Sequence, residues 1–337
     1  MSNKIISFGG YYGTGGSVIR DLLREYKNIF VFPKEFRLLV ESKGLLDLEN
    51  AIFNNGGCEN IDIAIREFLW LSSHFARKTT KFTRKGFDYD FYTNGNFSKE
   101  IKLFINEIVD YKYFMNWHYY DFQKNYFLSQ FHRYSSRILG YRFYQKKAFM
   151  SYPDFEDFVY SAKKLLKNTI KYSFKNLKDE NAIFAIHNAV RPIHNRHIEK
   201  SHKYFDNLSM IFVDRDPRDI FLNLPYDRYI AINKSPIEKA KHFVKFFLDL
   251  RKEQKIISSR SDVLFLKFEN IIFNYDNETS KINKFIGRSE KIDNLNKKIF
   301  DPKKSSKNVG KFKTISDEEK PAIDYIEDKL TEYLFIP

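Results

Sequence analysis

The strongest constraint on the fold lies at the start of the chain. Residues 4–8 are a short apolar run of strand length, and residues 9–16 contain five glycines. Residues 17–26 then place Val18, Ile19, Leu22 and Leu23 at helical spacing. A glycine-rich turn lets backbone N–H groups point inward, and the following helix adds its positive end, so such a turn can hold a phosphate. Residues 28–32 read as a second strand. Strand, helix and strand make a βαβ unit, which requires a parallel sheet.

The same rhythm returns late in the chain. Residues 182–186 (AIFAI), 208–213 (LSMIFV) and 263–267 (VLFLK) are apolar runs of buried-strand length, with helical patterns over 236–251 and 268–285. Between the two parts, residues 59–178 carry long amphipathic stretches (61–75, 99–110, 155–175) and few strand signals. The reading is one α/β domain over 1–337, with a central parallel sheet and a large helical insertion at 59–178. Residues 111–144 hold 14 aromatics in 34 positions. At helical spacing such rows are ordinarily core; the alternative is a ligand-binding wall, because aromatic faces stack on sugar rings and apolar molecules. Residues 301–313 read as a basic loop. A terminal helix is expected over 316–334, with Ser316 and Glu319 spaced as a capping box.

Composition narrows the partners. The formal charge is +14, which suits anionic ligands or surfaces. The basic residues are mixed with acids and no nucleic-acid motif is present, so nucleic acid is not expected. Cys58 is the single cysteine, which excludes an intramolecular disulfide and a cysteine metal cluster. No HExxH pair occurs, and no metal is expected. No stretch reaches the roughly 18 apolar residues of a membrane span, and the N-terminus enters a strand without a secretory apolar region. The expectation is a cytoplasmic protein, with peripheral membrane contact open.

Two motifs carry chemistry. Residues Gly10, Tyr12, Gly13, Thr14, Gly15, Gly16 and Ser17 fall within the phosphate-loop spacing G-x-x-x-x-G-K-[ST], with Gly16 where the lysine belongs. Backbone amides can still hold an anion there, but an ordinary kinase or ATPase uses that lysine. A nucleotide-dependent phosphotransferase is the first rival reading, and a non-enzymatic anion- or nucleic-acid-binding protein the second. The second motif is IFVDRDPRDIFLN, residues 211–223. A buried strand ends on a charged turn, Pro217 opens a helix, and Arg215 offers a planar fork for a phosphate.

The order of these motifs resembles the PAPS-dependent sulfotransferases, in particular bacterial glycan-modifying members. Residues 263–272 (VLFLKFENII) are similar to the family's strand followed by an aromatic-Glu-Asp/Asn-Leu motif, and Phe285-Ile286-Gly287 to its helix end. Residues 300–313 resemble its basic segment that closes over the cofactor. The resemblance spans residues 4–35 and 182–315 and implies a P-loop-like three-layer fold. It implies transfer of a sulfuryl group from PAPS (3′-phosphoadenosine 5′-phosphosulfate) to an acceptor hydroxyl, with a glycan or glycolipid preferred.

By that resemblance, residues 10–17 cradle the phosphosulfate and Arg215 binds the 3′-phosphate. Asn223 stands where the family has a serine, and Lys303, Lys304, Ser306, Lys307 and Gly310 form the closing segment. Where many members carry a loop lysine, this chain has Gly13, so Lys34, Arg20 or Lys307 must supply the cation. The acceptor base has two candidates. His187 matches cytosolic members, which place a histidine at a strand end; Glu35, after Lys34, matches glycan-modifying ones.

Overall fold

The computed structural model describes residues 3–79, 87–115, 117, 119, 125–139, 146–174, 182–224, 235–288 and 299–336. The chain separates into two compact units, one of residues 1–37 with 176–337 and the other of residues 38–175.

The first unit is α/β. Among the described residues its sheet has five strands, β1 (Ile5–Gly10), β2 (Ile29–Glu35), β5 (Ile183–His187), β6 (Leu208–Asp214) and β7 (Val263–Lys267), in the order β2-β5-β1-β6-β7. Every adjacent pair is parallel. These are the runs that the sequence marks, and they are apolar almost throughout because the sheet is buried on both faces. Helix α1 (Gly16–Leu23) buries Val18, Ile19, Leu22 and Leu23 in a cluster with Ile6, Phe8, Ile211 and Val213. A second cluster joins three helices. They are α9 (Pro217–Asn223), α10 (Pro236–Arg251) and α15 (Lys320–Lys329), meeting through Phe221, Phe243, Phe247, Ile323 and Ile326.

Three expectations need correction in this unit. The helix expected over 268–285 is two, α12 (Phe268–Phe273) and α13 (Tyr275–Ile286), because Asn274 leaves the helical region at φ −121°, ψ 43°. The segment expected as a basic loop is helical, with α14 (Pro302–Ser305) followed by 3-10 turns at Ser306–Asn308 and Lys311–Thr314. Ser316 and Glu319 do bond to each other at 3.1–3.2 Å, but as a turn ahead of the terminal helix, which starts only at Lys320.

The second unit is mainly helical: α2 (Leu45–Phe53), α3 (Cys58–Ala76), α4 (Tyr89–Tyr92), α5 (Asn96–Ile108), α6 (Tyr126–Leu139) and α7 (Phe155–Tyr172). Helices α3, α5 and α7 pack through Phe68, Phe104 and Phe158, whose rings meet edge to face. The unit also holds an antiparallel pair that the sequence pattern did not announce, β3 (Tyr111–Met115) and β4 (Lys146–Met150). β3 is exposed over Tyr111–Phe114, and β4 opens on two lysines and buries only Ala148 and Met150, so neither carries the apolar run by which buried strands are read. Within the aromatic stretch, residues 116, 118, 120–124 and 140–144 lie outside the described residues.

Candidate active site

Parallel strands deliver their carboxyl ends to one edge of the sheet, and there the sequence motifs converge. The glycine loop follows β1, Glu35 ends β2, His187 ends β5, the Arg215 turn follows β6 and Phe268 follows β7.

The loop is shaped from within. Thr14 is fully buried, and its hydroxyl donates to the Tyr11 carbonyl at 2.9 Å. Gly10 admits no side chain: a β-carbon there would lie 2.3 Å from both Thr14 Oγ1 and the Val213 carbonyl oxygen. Gly13 takes φ 77°, and Gly15, at the N-cap of α1, takes φ 90°. Among the described residues no side chain caps that helix end; the Val18 amide bonds the Gly15 carbonyl at 2.9 Å, and the amides before it can meet an anion. Tyr12 and Ser17 face outward, and Tyr12 tilts against Phe246 at 5.8 Å.

Phe268 links the loop to the arginine turn. A β-carbon on Gly15 would sit 2.7 Å from its ring, and the Arg215 guanidinium lies over the same ring at 4.8 Å. Arg215 is 5% exposed. It bonds through Nη2 to the Asn308 carbonyl and lies 3.7 Å from Asp219 Oδ2. Among the described residues its buried Nε has no acceptor. Burial pushes the guanidinium below its ordinary value, while Asp219, Glu269 and Asp216 pull it back up. Sequence reasoning passed over Phe268 because an aromatic in a Phe-Glu-Asn motif reads as core; the signal was its place directly after a strand bearing on the loop.

Asp219 ties down the segment that follows α14. Its carboxylate accepts the amides of Gly310 and Lys311 at 2.8 and 2.9 Å. Burial raises its pKa, and these two bonds together with Arg215 oppose that rise. Asn223 donates to the Asp219 carbonyl at 2.5 Å and accepts from Lys311 Nζ at 2.7 Å. Its side chain is thus engaged inside the unit. Lys303, Lys304 and Lys307 stay at the surface, and Ser306 Oγ donates to the Lys303 carbonyl at 2.7 Å.

His187 reaches the loop from the other side. Its ring stacks on Phe8 at 5.0 Å, and its Nε2 is 3.2 Å from where a β-carbon on Gly16 would stand. Burial lowers its pKa to about 4; Glu35 raises it, and Arg20 and Arg37 lower it further. Glu35 is the register partner of His187 in the β2–β5 pair and lies 3.6 Å from Arg37 Nη1. Lys34 precedes it on β2 and is half-buried. Arg20 is on α1, paired with Asp21 at 2.9 Å.

Asp214, the nearest imitation of a metal-holding carboxylate after β6, is taken up by Arg251 at 2.6 Å, with both side chains 1% exposed. Gln254 and the Arg215 amide complete its bonds. A cavity of about 540 Å³ is lined by Asp216, Arg218, Glu269, Phe312 and Phe335 among others. Asp219 and Gly310 also line it, whereas the glycine loop and His187 do not.

No family model matches the chain, and no curated protein does. Among solved structures it is similar to the sulfotransferase domain of the Synechococcus PCC 7002 olefin synthase, at 12% identity and TM-score 0.45. That match covers 100% of this chain and 98% of the other. A sulfotransferase domain from the curacin biosynthetic pathway matches at 11% identity and TM-score 0.43, covering 100% and 99%. Retinol dehydratase, in complex with androsterone and inactive cofactor PAP, matches at 13% and 0.36, covering 100% and 84%. Likeness at this level assigns no activity, which must be read from the residues themselves.

Proposed function

We propose that this chain is a sulfotransferase that moves a sulfuryl group from PAPS to an acceptor hydroxyl. The observation that carries the reading is the single phenyl ring of Phe268, set against the glycine loop at Gly15 and under the guanidinium of Arg215. Two anion-holding elements thus stand one ring apart, as a nucleotide with a 5′-phosphosulfate and a 3′-phosphate demands. The residues fit that ligand. Gly10 leaves a backbone cradle that a β-carbon would fill, and Arg215 Nε is a buried donor with no acceptor among the described residues.

In this reading the loop amides and the first turn of α1 hold the phosphosulfate, and Arg215 holds the 3′-phosphate. His187 Nε2, neutral at pH 7 because its pKa is near 4, takes the proton of the acceptor hydroxyl. The acceptor oxygen forms a bond to sulfur as the bond from sulfur to the bridging oxygen breaks, and the bridging oxygen departs with the adenosine bisphosphate. Such transfer depends chiefly on positioning and on charge placed beforehand. Glu35, beside His187, is the alternative base. Lys34, Arg20 and Lys307 are the cations proposed to steady the leaving oxygen. The acceptor proposed is a carbohydrate hydroxyl, from the Lys34-Glu35 context and the aromatic stretch of the second unit, and the setting proposed is the cytoplasm. Within the chain, residues 59–178 are proposed to serve the acceptor.

Titration calorimetry tests the core of this proposal. Adenosine 3′,5′-bisphosphate should bind, and ATP with Mg²⁺ should bind far more weakly. The reverse order would favour the phosphotransferase, whose case is weakened by the Asp214–Arg251 pair.

A further inference from the structure

Helix α6 of the second unit exposes side chains that helices ordinarily bury. Phe127 is 80% exposed, Phe131 67%, Tyr134 64% and Ile138 81%. At about 100° per residue these four fall on one stripe of the helix. The exposed Arg137 stands beside it. The helix lies in the connection between β3 and β4, a pair that itself exposes Tyr111 and Phe114 together with Lys112 and Lys147. An apolar surface of this kind on a single unit marks a place of contact.

Charge identifies the contact. Residues 111–153 contain seven Lys or Arg and one acid, Asp121. This one stretch therefore supplies a large part of the +14 of the whole chain. A second copy of the chain would bring the same positive charge to the contact and be repelled. A helix with an exposed aromatic stripe and Arg137 beside it, flanked in sequence by the exposed Lys112 and Lys147, matches the interface of an anionic bilayer. There aromatic rings enter the headgroup boundary and cations meet lipid phosphates. No described helix is long and apolar enough to cross a membrane, so the contact is with its surface.

We infer that α6 and the β3–β4 pair form a docking surface for anionic lipid bilayers. This goes beyond sulfuryl transfer and does not depend on it. The test uses the full-length chain and co-sedimentation with two vesicle types. One is phosphatidylcholine alone; the other has about one third of it replaced by phosphatidylserine. Partition onto the anionic vesicles should be at least about tenfold stronger and should weaken as salt rises. The combined variant Phe127→Ser, Phe131→Ser and Ile138→Ser should lose about tenfold or more, with unchanged circular dichroism. Arg137→Glu with Lys112→Glu should lose at least about fivefold, without removing any apolar surface. Equal partition of the wild type onto both vesicles overturns the inference, as does no binding at low salt. So does a wild type that dimerises in light scattering while the triple variant stays monomeric, because the stripe would then serve self-association.

Discussion

Glu35 and His187 stand opposite each other across adjacent parallel strands, register partners at the edge where the glycine loop turns into α1. The two candidate bases therefore form one electrostatic unit. Glu35 raises the His187 pKa while burial and two arginines lower it.

Their roles separate by pH and substitution. His187→Ala should reduce turnover by about 10²–10⁴ with cofactor affinity nearly intact. In the wild type the acidic limb of the rate profile should follow an ionisation near 4, below the ordinary histidine value of about 6.5. Glu35→Gln removes the group that raises the pKa, so the limb should move to still lower pH. If Glu35 is the base, Glu35→Gln instead causes the large loss and His187→Ala a small one.

The same burial makes stability depend on pH. The folded-state pKa of His187 is near 4, below the unfolded value, so between about 6.5 and 4 the unfolded chain binds the proton more readily. Stability should fall as pH drops through that window, by up to about 3 kcal/mol from this group. Urea midpoints at pH 7 and pH 4.5 measure it. His187→Phe should lose this part of the dependence, and an unchanged slope would show that the histidine is not held neutral by burial.

Arg215→Ala should weaken adenosine 3′,5′-bisphosphate by about 10- to 150-fold, the scale of a charge-assisted hydrogen bond. Adenosine 5′-phosphosulfate, which has no 3′-phosphate, should be affected far less. Equal losses for both would remove Arg215 from the 3′-phosphate.

Gly15→Val meets two obstacles, a φ of 90° and the Phe268 ring 2.7 Å from the new β-carbon. It should abolish cofactor binding, with folding followed by circular dichroism. Phe268→Ala in the same chain removes the steric obstacle and leaves the φ; binding that returns would assign the loss to the ring.

Arg251→Ala leaves Asp214 buried without its cation. It should destabilise the protein by about 3–5 kcal/mol, read from denaturant unfolding. A cost below about 1 kcal/mol would mean that water reaches the carboxylate.

The five sheet strands and the glycine turn were legible because burial on both faces writes continuous apolar runs, and because a chain that turns through positive φ needs glycine. Arg215 was legible as a fork at a strand end. What could not be read was adjacency. That Glu35 meets His187 follows from β5 lying beside β2, and that Phe268 joins Gly15 to Arg215 follows from where β7 ends; neither pairing leaves a local pattern. The β3–β4 pair escaped because β3 is exposed and β4 is five residues opening on two lysines, so neither writes a continuous apolar run.

Strands β1 and β2 are near in sequence but never touch, since β5 lies between them in the sheet. A chain emerging from the ribosome must therefore hold β2 unpaired until residues beyond the whole second unit have been made. Closing so long a loop is slow. A second unit that folds first would bring the ends of its own segment to a fixed separation and shorten that search. Substitutions that destabilise residues 38–175 would then lower the yield of folded sheet through kinetics, even where they touch no residue of the site.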